Sequence, residues 1–310
     1  MARKPARAWA APFRELRLLT ALVAFSGDSP SSKRHRLRVS ALPVLLVSHG
    51  ATIFTASAAD PTYAWLCSLA PRVAAANPRA LVVVSAHHVT AGEWAVTSSA
   101  RPGLIHDHPV SEFYAERYSP PGDPALAARI VKALESAKLR ARLDPERGLD
   151  HGAWLPLRAM APKAEVPVVM LSLNARASSD EHVAVGALLE PLRREGVLVI
   201  ASGGVTHNQE AFRRGYFSGV ESAKNPPEWS VGFDGWVAST LAIAEPRVRL
   251  ETLASYASRE DYARAHPTPE HFWPVLVAAG AAGSDAGVKV HAGFQHGLSM
   301  SAFLFGGLAV

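Results

Sequence analysis

The dominant pattern along the chain is a recurrence of short, unbroken apolar runs. Pro43 to Ser48 (PVLLVS), Ala80 to Ala86 (ALVVVSA), Val166 to Leu173 (VPVVMLSL) and Val197 to Ser202 (VLVIAS) are rich in Val, Leu and Ile and do not alternate with polar residues. Runs of this length suit strands covered on both faces, hence a mainly parallel sheet. Helical stretches lie between them. Asp123-Pro124 reads as an N-cap followed by Pro at the first helical position, with Leu126, Ile130 and Leu134 recurring on one face. Glu181 to Glu195 predicts a second amphipathic helix, closed by Gly196. Thr268-Pro269 predicts the start of a third, with Phe272, Val275, Leu276 and Ala279 on one face and His271 in its first turn. Residues 215–230 (GYFSGVESAKNPPEWS) predict a loop. The alternation of strand and helix indicates an α/β fold: a single domain with a central, mainly parallel sheet flanked by helices.

Composition changes this picture little. The chain has 310 residues, 48% hydrophobic and 19% charged, which excludes a disordered, collagen-like or coiled-coil protein. Charge changes it more. Residues 1–40 carry nine Lys/Arg against two Asp/Glu, a net +7, whereas residues 41–310 carry 23 against 25, a net −2. The basic balance therefore belongs to an N-terminal extension, expected to be disordered, and residues 41–310 form the folded domain. No basic stripe interleaved with aromatics recurs in that domain, so nucleic acid is not an expected partner. Arg3, Lys4 and Arg7 before Leu18 to Phe25 imitate a signal peptide. However, Ser26 to Pro30 supply no A-x-A cleavage site, and the basic cluster Lys33 to Arg36 follows. No apolar run approaches the roughly 18 residues of a membrane-spanning helix. The expected location is the cytoplasm, with no membrane partner.

Candidate chemistry rests on histidine. The single cysteine, Cys67, excludes a disulfide framework, a Cys-rich zinc module, a CxxC redox pair and an iron–sulfur cluster. A protein-bound metal would need His, carboxylate or carbonyl ligands. His49, His87 and His207 each follow an apolar run, and His151 lies in GLDHGAW on a loop entering the next apolar segment. In open α/β sheets, ligands bind beyond the carboxyl ends of the strands, so adjacent parallel strands would bring these residues to one crevice. His271 joins them from its helix start. Gly50, Gly152 and Gly203-Gly204 flank these histidines and permit close approach of a ligand to the main chain. Imidazole suits Zn, Fe, Cu and Ni alike, so residue type does not choose the metal. His106 and His108 form a candidate rim pair. His88 would alternate away from His87, and His182, His266, His291 and His296 have no positional claim. No G-x-G-x-x-G, G-x-x-x-x-G-K-[ST], G-x-S-x-G or H-E-x-x-H motif is present at the needed place.

Taken together, SHG at 48–50, VVVSAHH at 82–88, GLDHGAWLPL at 148–157, ASGGVTHN at 201–208 and HPTPEHFWPVLVAAGAAG at 266–283 resemble the class III extradiol ring-cleavage dioxygenases. More narrowly, these blocks resemble the DOPA 4,5-dioxygenase-type branch, which YSPPGDPA at 118–125 also resembles. The likeness runs from about residue 43 to about residue 302, with the blocks in order. It implies a single α/β domain holding one divalent metal ion at the C-terminal ends of the strands. Fe(II) is the ion expected for activity, with Zn(II) an alternative occupant. It implies metal ligands His49, His87 and His271, with His207 either a fourth metal neighbour or the catalytic acid/base. His151 is implied as a second catalytic histidine, and a small catechol-type aromatic plus O₂ as substrates. Residues 105–113 (IHDHPVSEF) keep only the I-H-D start of the family's usual stretch, which bears on substrate choice. The rival readings are a zinc-dependent hydrolase and a non-catalytic metal-binding protein on the same scaffold.

Overall fold

In the computed structural model, the described residues are 41–308, apart from 53–56, 58, 109–113, 116 and 219–224. The extension expected at 1–40 lies outside them. The central sheet has six strands: β1 (Val44–Ser48), β2 (Ala80–Ser85), β3 (Val168–Met170), β4 (Val197–Gly203), β5 (Gly287–His291) and β6 (Ala302–Phe305). Their spatial order is β3-β2-β4-β1-β6-β5. The pairs β3/β2, β2/β4 and β4/β1 are parallel, and β1/β6 and β6/β5 are antiparallel. The sheet is thus mainly parallel, as the apolar runs predict.

Those runs are apolar throughout because both faces are covered. Val44, Leu46, Val82, Val84, Val199 and Ala201 pack into one core, and Leu45, Val47, Leu81, Val83, Leu198 and Ile200 into another. The first core is closed by α3 (Pro124–Ser136), α5 (Ser179–Arg193) and α8 (Trp273–Ala281), the second by α1 (Pro61–Ser68), α2 (Ala70–Ala76) and α4 (His151–Met160). Asp123 caps α3 by accepting from the Leu126 amide at 2.9 Å, as its sequence position predicts. Ser178 and Glu181 form a reciprocal capping box on α5, starting that helix at Ser179.

Three local expectations need correction. The run 166–173 does not stay in the sheet: the Leu171 amide still donates to Val83 O, but from Ser172 the chain bonds the 88–97 segment, with the Ser172 amide donating to Ala95 O and the Leu173 amide to His88 O. The predicted loop 215–230 is bracketed by helix, α6 (Gln209–Phe217) entering it and α7 (Glu228–Leu241) leaving it. Helix α8 begins at Trp273 and not at Pro269. The Thr268 hydroxyl donates to Glu270 Oε1 at 2.8 Å instead of capping, and the Phe272 amide closes a turn onto Pro269 O. His271 therefore lies in that turn, ahead of the helix.

Candidate metal centre and active site

Adjacent strands β2, β4 and β1 run in one direction, with Ser85 level with Ser202 and Ser48 level with Gly203. Their carboxyl ends release His87, His207 and His49 on the same side. Helix α4 brings His151, and the turn before α8 brings His271. Two close approaches make this possible. A Cβ on Gly152 would stand 2.5 Å from Ser85 Oγ and 3.1 Å from His87 Cδ2, so only glycine lets α4 begin against β2. A Cβ on Gly203 would collide with the His271 carbonyl, which accepts the Gly204 amide at 3.0 Å.

All five histidines meet. The rings of His49, His87 and His271 have centroids 5.0, 5.0 and 5.3 Å apart. His151 lies 4.0 Å from His87 and 5.6 Å from His49. His207 lies flat on His271, centroids 3.4 Å apart and planes within 4°. Nε2 of His49 and Nε2 of His87 are 3.1 Å apart, both facing the shared space. Three of the outward nitrogens have hydrogen-bond partners. His49 Nδ1 meets Ser202 Oγ at 3.0 Å, and because that hydroxyl donates to Gly152 O at 2.5 Å, it accepts from His49. His271 Nδ1 donates to Glu270 Oε1 at 2.9 Å and His151 Nδ1 to Asp107 Oδ1 at 2.8 Å. This leaves the Nε2 lone pairs of His49, His151 and His271 available to a ligand, the arrangement of metal-binding imidazoles.

Electrostatics agree. Burial, followed by the crowding of neighbouring imidazoles, holds His49 and His271 well below the usual histidine range. Burial and His151 bring His87 down to about 3, and burial brings His207 down to about 4. These rings are neutral at pH 7, the state a metal requires. Ligand atoms of His49, His87 and His151 lie within 4.8 Å of one another, and so do those of His207, Glu270 and His271. A soft-to-borderline nitrogen set with no thiolate suits one divalent transition-metal ion.

A wall of rings continues outward from His151. His108 stands 6.0 Å from it, and His106 and His108 contact each other and both Tyr114 and Trp154, edge to face or tilted. The rim pair read from sequence is thus placed beside the site, although 109–113 fall outside the described residues. His182 and His266 are core histidines: His182 stacks on Trp273 with Nδ1 on Ser178 O, and His266 Nε2 meets Val205 O. Sequence reasoning passed over Asp107, Ser202 and Glu270, which partner the site histidines. Their one signal was membership of the family-like blocks, Asp107 in the I-H-D fragment, Ser202 in ASGGVTHN and Glu270 in the stretch from His266.

An α/β sheet whose parallel strands end in a neutral histidine cluster defines a metal-binding enzyme scaffold. The chain belongs to the family described as the catalytic LigB subunit of aromatic ring-opening dioxygenase, whose model matches residues 43–304. It is 32% identical over 263 residues to the 4,5-DOPA dioxygenase extradiol of Beta vulgaris, spanning 81% of this chain and 91% of the relative. To the protein of the same name from Escherichia coli it is 36% identical over 245 residues, spanning 77% and 85%. The crystal structure of an uncharacterized Escherichia coli K12 protein matches with a TM-score of 0.70 at 32% identity, covering 86% of this chain and all of that one. The protein is a class III, metal-dependent extradiol ring-cleavage dioxygenase of the DOPA-type branch. This decides against the hydrolase and non-catalytic readings. Among the described residues, no helix is long and apolar enough to cross a membrane.

Proposed function

We propose that the substrate is a catechol with a DOPA-like side chain, cleaved beside its two hydroxyls so that both atoms of O₂ enter the ring-opened product. The relatives' names support the substrate class, and the ring wall from His151 to Tyr114 supports an aromatic occupant. We assign His49, His87 and His271 as ligands of one Fe(II). The observation carrying this is the near-equilateral set of their rings, 5.0, 5.0 and 5.3 Å apart, with Nδ1 of His49 and of His271 held by acceptors. The bound ion supplies a common coordination sphere for the catechol oxygens and O₂, and a path for electron density between them.

The protein's own part is proton movement and positioning. His207 lies parallel to His271 and beside it, which supports an acid/base role over a fourth ligand. As a neutral imidazole it takes a proton from a substrate hydroxyl at Nε2 or Nδ1 and returns one to the departing oxygen. His151, with Nδ1 committed to Asp107, turns Nε2 toward the bound substrate's second oxygen. We read the working location as the cytoplasm and the role as aromatic breakdown.

The test is anaerobic Fe(II) reconstitution, then oxygen-electrode measurements with DOPA-like and unsubstituted catechols under ¹⁸O₂. One O₂ consumed per ring opened, with both labels in the product and faster turnover of the DOPA-like catechol, is the expected result. Label arriving from water, or no uptake with any catechol, would overturn the reading.

A further inference from the structure

Residues 103–108 form a strap held against the start of α4. The Ile105 amide donates to Leu149 O at 2.7 Å, the Leu149 amide to Gly103 O at 2.8 Å, and Trp154 Nε1 to Ile105 O at 3.3 Å. The strap delivers one carboxylate, Asp107, to the back of two site histidines. Oδ1 accepts from both the backbone N–H of His151 at 3.0 Å and its Nδ1 at 2.8 Å. Oδ2 faces His87 Nδ1 at 3.8 Å, too long for a hydrogen bond but near enough for the carboxylate charge to favour an N–H over a lone pair on that nitrogen. Asp150, next in sequence to His151, is spent elsewhere: its oxygens take Ser85 Oγ at 2.6 Å and Arg147 Nη2 at 3.1 Å, and it caps α4.

We infer that Asp107 is a positioning residue shared by a metal ligand and a catalytic histidine, holding His87 and His151 together with their protons on Nδ1 and their Nε2 lone pairs toward the reaction space. The inference rests on the assignment of His87 as ligand and His151 as catalytic. A carboxylate offers only acceptors, so a nitrogen facing it carries its proton. The two oxygens face residues that arrive from separate elements, β2 and α4, so one side chain fixes the His151 tautomer by a hydrogen bond and biases that of His87 by its charge, behind two rings 4.0 Å apart. A histidine ligand is normally fixed in this way by the acceptor behind it.

An amide at the same position breaks the sharing without changing the shape. In Asp107→Asn the new amide can keep its oxygen on His151, but it then presents NH₂ to His87 Nδ1 and drives the His87 proton toward Nε2, where the metal belongs. Zinc, which is redox-inert, is the probe. In full-length, metal-free protein, Asp107→Asn should bind Zn(II) about 10–100-fold more weakly in chelator competition. It should also show a changed His87 tautomer in long-range ¹⁵N–¹H histidine spectra. Asp107→Glu, which restores two acceptors, should recover part of the affinity. Wild-type zinc affinity in Asp107→Asn overturns the inference. If the variant does not fold, the wild-type spectra still decide, since His87 or His151 protonated on Nε2 overturns it as well. His87→Ala measured beside these separates the two levels. Loss of zinc there with full affinity in Asp107→Asn removes Asp107 alone, whereas zinc retained in His87→Ala removes the ligand assignment.

Discussion

Replacing Ser202 by Ala tests whether the backing of His49, and not mere proximity, prepares it for a metal. Ser202 is fully buried. Its hydroxyl donates to Gly152 O and accepts from His49 Nδ1. Its loss strands a buried carbonyl, and each such unmet group costs about 1–3 kcal/mol. It also frees His49 to move its proton to Nε2, which removes the lone pair facing His87. Metal affinity should then fall about 10–100-fold, or about 1.4–2.8 kcal/mol. Ser48→Ala is the matched control. Ser48 adjoins His49 and is buried, but its hydroxyl donates to Ser301 O at 3.0 Å and touches no histidine. Urea unfolding of the metal-free proteins should show both variants destabilised, by about 1–3 kcal/mol. Chelator competition with Zn(II) should show a loss of affinity only for Ser202→Ala. Equal affinity loss in the two, or none in Ser202→Ala, would refute the tautomer reasoning.

Other perturbations have definite outcomes. His49→Ala, His87→Ala or His271→Ala should each abolish tight binding of one metal per chain, read by elemental analysis. His207→Gln should keep its iron but turn over about 10²–10⁴-fold more slowly; iron and turnover falling together would make His207 a ligand instead. Burial brings His182 down to about 4 in the folded protein, so its cost is absent above the unfolded value of about 6.5 and grows as pH falls from there toward about 4. His182→Phe should flatten the loss of stability over that window by up to about 3 kcal/mol, followed by denaturant melts at stepped pH. Gly152→Ala forces Cβ into Ser85 Oγ and His87 Cδ2 and should lower both stability and zinc affinity, measured by thermal melting and chelator competition.

The sheet was legible because burial on both faces leaves no room for polar residues, and Val44–Ser48, Ala80–Ser85 and Val197–Gly203 carry that constraint in their composition. The converging histidines followed from strand ends in parallel register. What was not legible depended on partners remote in sequence. Nothing in the chain links Asp107 to His151 across 44 residues, or Ser202 to His49 across 153. The start of α8 was misplaced because Thr268 looks like a cap, but its hydroxyl is taken by Glu270. Helix α6 is only nine residues long and fully buries none of its side chains, so its apolar positions lack the buried run that marks the other helices.

The place of β1 in the sheet also governs how the protein is born. The first strand of the sheet to leave the ribosome pairs with β4 on one side and β6 on the other. Its terminal Ser48 bonds a carbonyl 253 residues later. Strand β1 must therefore wait, unpaired and apolar, until β4 emerges, and its other edge stays open until β6 has been synthesised, a window in which chaperones have most to cover. His49 waits with it: the five histidines that gather beyond the strand ends can meet only once the chain has been made as far as His271, long after His49 itself.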